Sequence, residues 1–364
     1  MDLSTIPILD NHCHFFSLAM QQRPLHRMLT LSLNSPSDDQ LRHSLLYRMV
    51  ISALAEVLDT PLDENQVLAA RQEYAERDYK GYVNKLFDDV NLAGLMVDIG
   101  LQKSLVDNSD FENLANRTVW YVYRGETVVD RLWRDRVEPA VGLELFRQEV
   151  KTAIGALPAI ALKSIIGYRT GLQVETTVTE KQVAQTMKER EYRSLFFLET
   201  ARLCLELDLP FHIHTGFGES NNDLRENNPI HLKPFLDSPY AADIDVVLIH
   251  GGYPYAFEAG YLAAMYPNVH VDISELIPFV TLRARAGIEE IMNMCPLNKL
   301  MYGSDGFDVP ESHWLSARMG KQILRDILGD LVDKHIIDTS YAKEVARMVL
   351  HGNSLRLHGK EQWS

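Results

Sequence analysis

Short runs of apolar residues alternate along most of this chain with longer segments whose apolar positions recur every three or four residues. The first run, Pro7-Ile8-Leu9, leads into Asp10-Asn11-His12-Cys13-His14 and reads as a strand almost at the N-terminus. From residue 91 onward the alternation becomes regular. Leu92–Ile99, Thr118–Tyr123, Ala159–Ile166, Phe211–Thr215, Val246–Ile249, Val269–Ile273 and Leu300–Tyr302 each read as a buried strand. Helical runs separate the later strands, over 181–207, 254–265 and 276–293, and the tail 311–351 reads as helices that close the fold. With the first strand this makes eight strand–helix units, the pattern expected of an α/β fold in which a parallel sheet closes into a (β/α)8 TIM barrel.

The region between the first two strands breaks the pattern. Residues 20–90 have no β character; Leu41, Leu45, Leu46, Met49, Val50, Leu54 and Leu58 recur at helical spacing, and Pro61 follows as a stop. A second helical stretch runs from about Asn65 to Asp88. No low-complexity linker flanks these segments and no repeat is visible. The expected organisation is therefore one domain over 1–364 with a helical insertion over 20–90 after the first strand. That insertion is expected to cover the barrel mouth or form a subunit contact, with packing on the outer helical ring as the competing expectation.

Composition narrows the partners. The 364 residues are 46% hydrophobic and 24% charged, a globular balance with enough apolar material for one large domain or two ordinary ones. No apolar run is long enough to span a membrane, and the N-terminus lacks a signal-peptide pattern, so a cytoplasmic location is expected. Three scattered cysteines, Cys13, Cys204 and Cys295, argue against a disulfide framework. A formal charge of -14 with no basic stripe excludes nucleic acid as the expected partner. A small-molecule substrate and a homo-oligomer are expected instead.

The chemistry gathers at the predicted strand ends. In the first strand His12 and His14, spaced i, i+2, project to one face while Cys13 points to the other. The fifth strand repeats the pattern in His212 and His214, the sixth ends in His250-Gly251-Gly252, and the eighth in Gly303-Ser304-Asp305-Gly306. Lys163 interrupts the apolar fourth strand. Each has an ordinary explanation alone: His250 a core histidine, Asp305 a turn former or helix cap, Lys163 a residue reaching out to the barrel mouth. In a parallel barrel, however, the C-terminal strand ends converge on one mouth. His12, His14, His214, His250 and Asp305 would meet there, and imidazole with carboxylate suits zinc, manganese or iron.

This arrangement resembles the amidohydrolase superfamily, in particular its amidohydrolase-related branch of metal-dependent TIM-barrel hydrolases. The resemblance runs from Pro7 to about His358, apart from the insertion, and includes the ending Gly352-Asn353-Ser354-Leu355-Arg356-Leu357. Lys163-Ser164-Ile165-Ile166-Gly167-Tyr168-Arg169, His214-Thr215-Gly216-Phe217-Gly218 and Ser304-Asp305-Gly306 look most similar to a subgroup that includes the amidohydrolase-like domain fused to glutamine-synthetase-like proteins. The resemblance implies that His12 and His14 are metal ligands, with His214, His250 and Asp305. It puts Lys163 where many members carry a carbamylated lysine. His212 departs from the pattern and is expected to face the core or to support the ligands.

The implied reaction is hydrolysis of an amide or related C–N or C–O bond, with a divalent metal (zinc first, one or two ions) and catalytic roles for Asp305, His250 and Lys163. Asp305 is the expected general base. His250 would bind a second ion or polarise the substrate carbonyl. Lys163 would bridge two ions as a carbamate, or stay an ammonium held by an anionic partner. Tyr168, Arg169 and Arg225 are the candidate substrate-binding residues, the arginines as carboxylate clamps. The rival readings are a non-oxidative decarboxylase of the same branch, which is distantly related to uronate isomerases, and a catalytically silent binding barrel.

Overall fold

Eight strands pair in parallel and in sequence order around a barrel: β1 (Ile8–Cys13), β2 (Leu92–Asp98), β3 (Thr118–Arg124), β4 (Ala159–Ser164), β5 (Phe211–His214), β6 (Val246–Ile249), β7 (Val269–Asp272) and β8 (Leu300–Met301). The computed structural model describes residues 1–17, 22–101 and 107–360. Residues 20 and 21, where the 20–90 stretch was expected to begin, and the last four residues of the expected domain lie outside them. The seam between β8 and β1 is closed by backbone hydrogen bonds. Asn11 N–H donates to Tyr302 O at 3.1 Å, Asp305 N–H to His12 O at 2.8 Å, and His14 N–H to Gly306 O at 2.7 Å. The fold is the expected (β/α)8 barrel, with helices following the first strand.

Strand alternation explains which groups reach the interior. Met96, Val122, Ala161, Val247, Ile249 and Met301 fill the barrel, while Leu95, Val97, Leu162, Ile213, Leu248 and Val271 join the larger core beneath the outer helices. Each such buried Val, Leu, Ile or Met side chain stabilises the fold by roughly 1.5–3 kcal/mol. Two residues beyond Met96, Val122 and Ala161, and so on the same inner face, stand Asp98, Arg124 and Lys163. The first strand departs from strict alternation. Leu9 packs in the interior cluster and His12 also faces inward, although they are three positions apart, an odd spacing. The register irregularity between Asp10 and Cys13 absorbs the extra residue, so both histidines keep the interior while Cys13 packs outward.

The C-terminal motif plugs the opposite end of the barrel. Leu355 packs among Leu9, Met96, Trp120 and Ile160, and Ser354 Oγ donates to Asn11 Oδ1 at 2.7 Å. Asn353 Nδ2 donates to the Leu297 and Leu300 carbonyls, fastening the motif to β8. His358 meets His212 there, Nε2 to Nε2 at 3.0 Å, so His212 faces the core one layer below His214.

The helices differ from expectation in their breaks. The stretch Asn65–Asp88 is two helices, Glu64–Arg77 and Tyr79–Asp89, because Asp78 leaves helical geometry and its side chain caps Gly81 N–H. The run 181–207 divides likewise, at Met187 in a left-handed conformation, into Glu180–Thr186 and Glu189–Leu207. Between β1 and β2, the two expected placements are both present in part. Arg23, Arg27 and Thr30–Leu33 line the mouth, whereas the helices over 45–89 pack on the outer ring. Arg71 there forms a buried ion pair with Glu311 of the helix Pro310–Asp333, and Tyr82 Oη donates to the same carboxylate at 2.6 Å. No helix among the described residues is long and apolar enough to cross a membrane. The three cysteines are buried and unpaired.

Candidate metal centre

Five side chains from four strand ends converge at the mouth. His12 Nε2 and His14 Nε2 each lie 3.2 Å from Asp305 Oδ1. The His12 and His250 rings are 5.5 Å apart between centroids, and His214 and His250 are 4.6 Å apart. All five residues are buried, yet Asp305 Oδ1 and His214 Nε2 have no hydrogen-bond partner. Lone pairs buried without partners cost free energy. Such a donor set fits a divalent cation. His12, His250 and Asp305 offer ligand atoms within 4.8 Å of one another. Burial, reinforced by the Lys163 charge, lowers the pKa of His12; burial also lowers those of His214 and His250. These rings are therefore neutral at pH 7, as a metal ligand must be.

Backbone conformation aims two of these groups. His250 has φ +76° and Asp305 φ +52°, so the chain turns sharply at both strand ends and presents the side chains to the mouth. Gly216 and Gly251–Gly252 let neighbouring backbone approach closely; a Cβ on Gly216 would sit 2.5 Å from Gly252 C. Asp305 is further fixed by its own N–H on His12 O, and Ser304 N–H donates to Asp10 Oδ1 at 2.8 Å.

Lys163 lies at the centre of a second buried group. Its Nζ is 2.7 Å from His12 Nε2 and 3.1 Å from Asp98 Oδ2. Arg124 Nε donates to the same Asp98 oxygen at 3.0 Å. Burial acts to raise the Asp98 pKa, but Arg124 and Lys163 outweigh it and hold the carboxylate ionised well below its usual range. Lys163 thus has the anionic partner that an uncarbamylated ammonium requires.

The substrate side is a cavity of about 410 Å³ above these groups, lined by Arg23, Arg27, Arg124 and Arg169 and also by Glu219 and Glu275. Tyr168 forms part of its wall, its ring 4.5 Å from that of His214 and its Oη accepting from Glu219 N–H at 3.2 Å. The two expected clamps are placed differently. Arg169 lines the cavity, but its Nε and Nη2 are held by Asp130 at 3.0 and 2.7 Å. Arg225 does not reach the cavity. Asp223, two residues before it, takes both Nε and Nη2, and the side chain is 85% exposed. Its guanidinium is taken up by this local ion pair, so in this structure Arg225 stands outside the cavity where a carboxylate clamp was expected.

Asp98, Arg124 and Glu275 stand at the mouth without having been expected there. Asp98 and Arg124 end the apolar runs Leu95-Met96-Val97 and Tyr121-Val122-Tyr123, the same signal that marks Lys163. Glu275 lies beyond the end of β7, in a short extended pair with Ser274, and has φ +60°.

A parallel barrel with histidines and an aspartate gathered at its C-terminal mouth defines the class of the metal-dependent TIM-barrel proteins. A family model described as Amidohydrolase matches residues 177–360, half of the chain, and the chain belongs to that family. Protein fluG of Emericella nidulans is 27% identical over 98% of this chain and 46% of its own length, so the chain spans about half of that relative. A structure from Lactobacillus casei, named for an inferred metal-dependent hydrolase, is 25% identical, with TM-score 0.86 over 99% of this chain and 97% of its own. Glucuronate isomerase from Caulobacter crescentus shares the fold, at 15% identity and TM-score 0.69 over 99% and 93%.

Proposed function

We propose that this chain is a metal-dependent hydrolase that cleaves an amide or related C–N or C–O bond in a small, carboxylate-bearing molecule. The observation that carries the reading is the placement of Asp305 Oδ1 at 3.2 Å from the Nε2 atoms of both His12 and His14. His12, His14 and Asp305 would hold the ion, with His250 beside them; zinc suits the donors best. A divalent cation in such a site supplies Lewis acidity, which lowers the pKa of water from 15.7 to about 7.

The chain's own groups do the rest. Asp305 accepts the proton of the attacking water and delivers it to the leaving group, held in place by its N–H on His12 O. His250 is oriented by Ser274, whose Oγ lies 3.0 Å from Nδ1, and faces the substrate carbonyl. Arg124, anchored on Asp98, and Arg169 supply positive charge for a substrate carboxylate, which supports an anionic ligand. Lys163 acts as an ammonium paired with Asp98 and contacts the substrate carbonyl or carboxylate, in place of a carbamate bridge.

That ion pair also favours one second reading. A non-oxidative decarboxylase of the same family needs no bridging carbamate, and the Lys163–Asp98 contact is compatible with a lysine used in that way. The test is a screen of amides, lactones and aromatic acids with protein whose metal has been restored. Hydrolysis without carbon dioxide supports the proposal; carbon dioxide release supports the decarboxylase. Full metal occupancy with no turnover would leave a binding barrel.

A further inference from the structure

We infer that the substrate carries a protonated amine as well as its carboxylate, and that Glu275, assisted by Glu219 and Tyr168, forms the subsite that receives the ammonium group. Glu275 lines the cavity, is only 2% exposed, and its Oε2 has no hydrogen-bond partner. His250 Nδ1 lies 3.7 Å from that oxygen but is already bonded to Ser274 Oγ at 3.0 Å, so it leaves the carboxylate unsatisfied. Among the described residues neither Glu275 nor Glu219 forms an ion pair with a lysine or arginine. Arg124 is paired with Asp98, and Arg169 with Asp130. A buried carboxylate with no cation is costly, and an ammonium group that donates to it both neutralises the charge and satisfies the oxygen.

The charges of the cavity are sorted along its rim. Arg124 ends β3 and Arg169 follows β4, whereas Glu219 follows β5 and Glu275 follows β7. The strands run in sequence order around the barrel, so the arginines occupy one arc of the mouth and the glutamates the next. A simple anion would use only the first arc; a zwitterion uses both. An ammonium group has three donors. Glu275 and Glu219 offer two acceptors, and Tyr168 Oη, which accepts from Glu219 N–H at 3.2 Å, keeps a second lone pair. Gly218 makes room for that hydroxyl, because a Cβ there would overlap Tyr168 Oη. Glu275 is held at φ +60° where its extended pair turns into Leu276, a conformation unfavourable for a residue with a Cβ. The class that fits is an amide of an amino acid whose own amine and carboxylate are free. This deepens the hydrolase reading and rests on it for the bond cleaved, but selective binding is read without turnover, so the two can fail separately.

The test compares matched pairs on the zinc-loaded full chain. Asparagine, glutamine and short dipeptides are each set beside a des-amino or N-acetyl counterpart, which keeps the carboxylate and an amide but lacks the ammonium charge. Calorimetry reads binding and product release reads turnover. At least one ammonium compound should bind about 10- to 100-fold tighter than its counterpart. That preference should collapse toward parity in Glu275→Gln and fall part of the way in Glu219→Gln, with the metal content of Glu275→Gln equal to that of the wild type. The wild-type comparison does not depend on any variant folding. No preference for any ammonium compound in the wild type, or an undiminished preference in Glu275→Gln, would overturn the assignment. So would loss of metal from Glu275→Gln, which would make Glu275 a ligand. Selective binding without hydrolysis would keep the subsite and remove the hydrolase reading. Hydrolysis of the uncharged counterparts as readily as of the amines would keep the hydrolase and remove the subsite.

Discussion

Lys163 Nζ sits 3.1 Å from Asp98 Oδ2, and both side chains are buried at inward-facing positions near the ends of β4 and β2, on either side of β3. The pair has a stability consequence. Asp98→Ala would leave Lys163 and Arg124 as buried cations without their shared carboxylate, at a cost of about 3–5 kcal/mol. Chemical denaturation measures it. It also has a chemical consequence: activity lost in Lys163→Ala should not return with short carboxylic acids. Rescue by acetate or propionate would make Lys163 a carbamate bridge.

Asp305→Asn separates proton transfer from ligation. The amide keeps an oxygen for the ion, and asparagine accepts the left-handed backbone found there, so the fold should hold. Turnover should fall by about 100-fold or more while part of the metal remains. Near wild-type turnover would make Asp305 structural.

The helices between β1 and β2 are fastened to the outer ring by Arg71 and Glu311. Arg71→Ala leaves that carboxylate buried against Tyr82 alone among the bonds it now makes, and stability should drop by about 3–5 kcal/mol. The double change Arg71→Met with Glu311→Leu should recover most of the loss. If both variants are equally unstable, lost packing and not the stranded charge is the cause.

The plug beneath the site should make the fold acid-sensitive. His358 Nδ1 lies 2.7 Å from Ser354 O, which accepts, so Nδ1 carries the proton and Nε2 accepts from His212 Nε2–H. His212 Nδ1 is accordingly the nitrogen left without a partner. Burial lowers the His358 pKa from 6.5 to about 4. Between these values the unfolded chain binds the additional proton, so stability rises with pH and is lost as pH falls from 6.5 toward 4. The contribution is about 3 kcal/mol at 1.36 kcal/mol per unit. Urea denaturation from pH 7 to 4 should show that slope, reduced in His358→Gln, whose amide oxygen can still accept from His212.

Much of this architecture was legible because burial on both faces makes parallel strands into apolar runs, and a polar residue inside or ending such a run stands out. His12, His14, Lys163, His214, His250 and Asp305 are all of that kind, and the structure places them together. Asp98 and Arg124 carry the same signal, and it passes unnoticed only because each resembles an ordinary strand terminus. Glu275 carries no such mark: it follows Asp272-Ile273-Ser274, and only the turn at positive φ brings it back to the mouth. Arg225 shows the opposite error. Proximity in sequence to the glycine-containing loop after β5 is no guide to reach when an aspartate two residues away captures the guanidinium. The break at Asp78 had a readable cap, since aspartate three residues before Gly81 is a helix start, but the continuous helical composition around it concealed the boundary.

The claim on which the account depends is that His12 and His14 hold a catalytic divalent cation. Metal analysis and turnover, measured together on the wild type and on His12→Ala/His14→Ala, test it directly. The wild type should carry firmly bound metal, lose turnover on chelation and regain it when zinc or manganese is returned. The double variant should remain folded by circular dichroism while metal at this site and turnover fall together. Full metal content and full turnover in that variant would contradict the account.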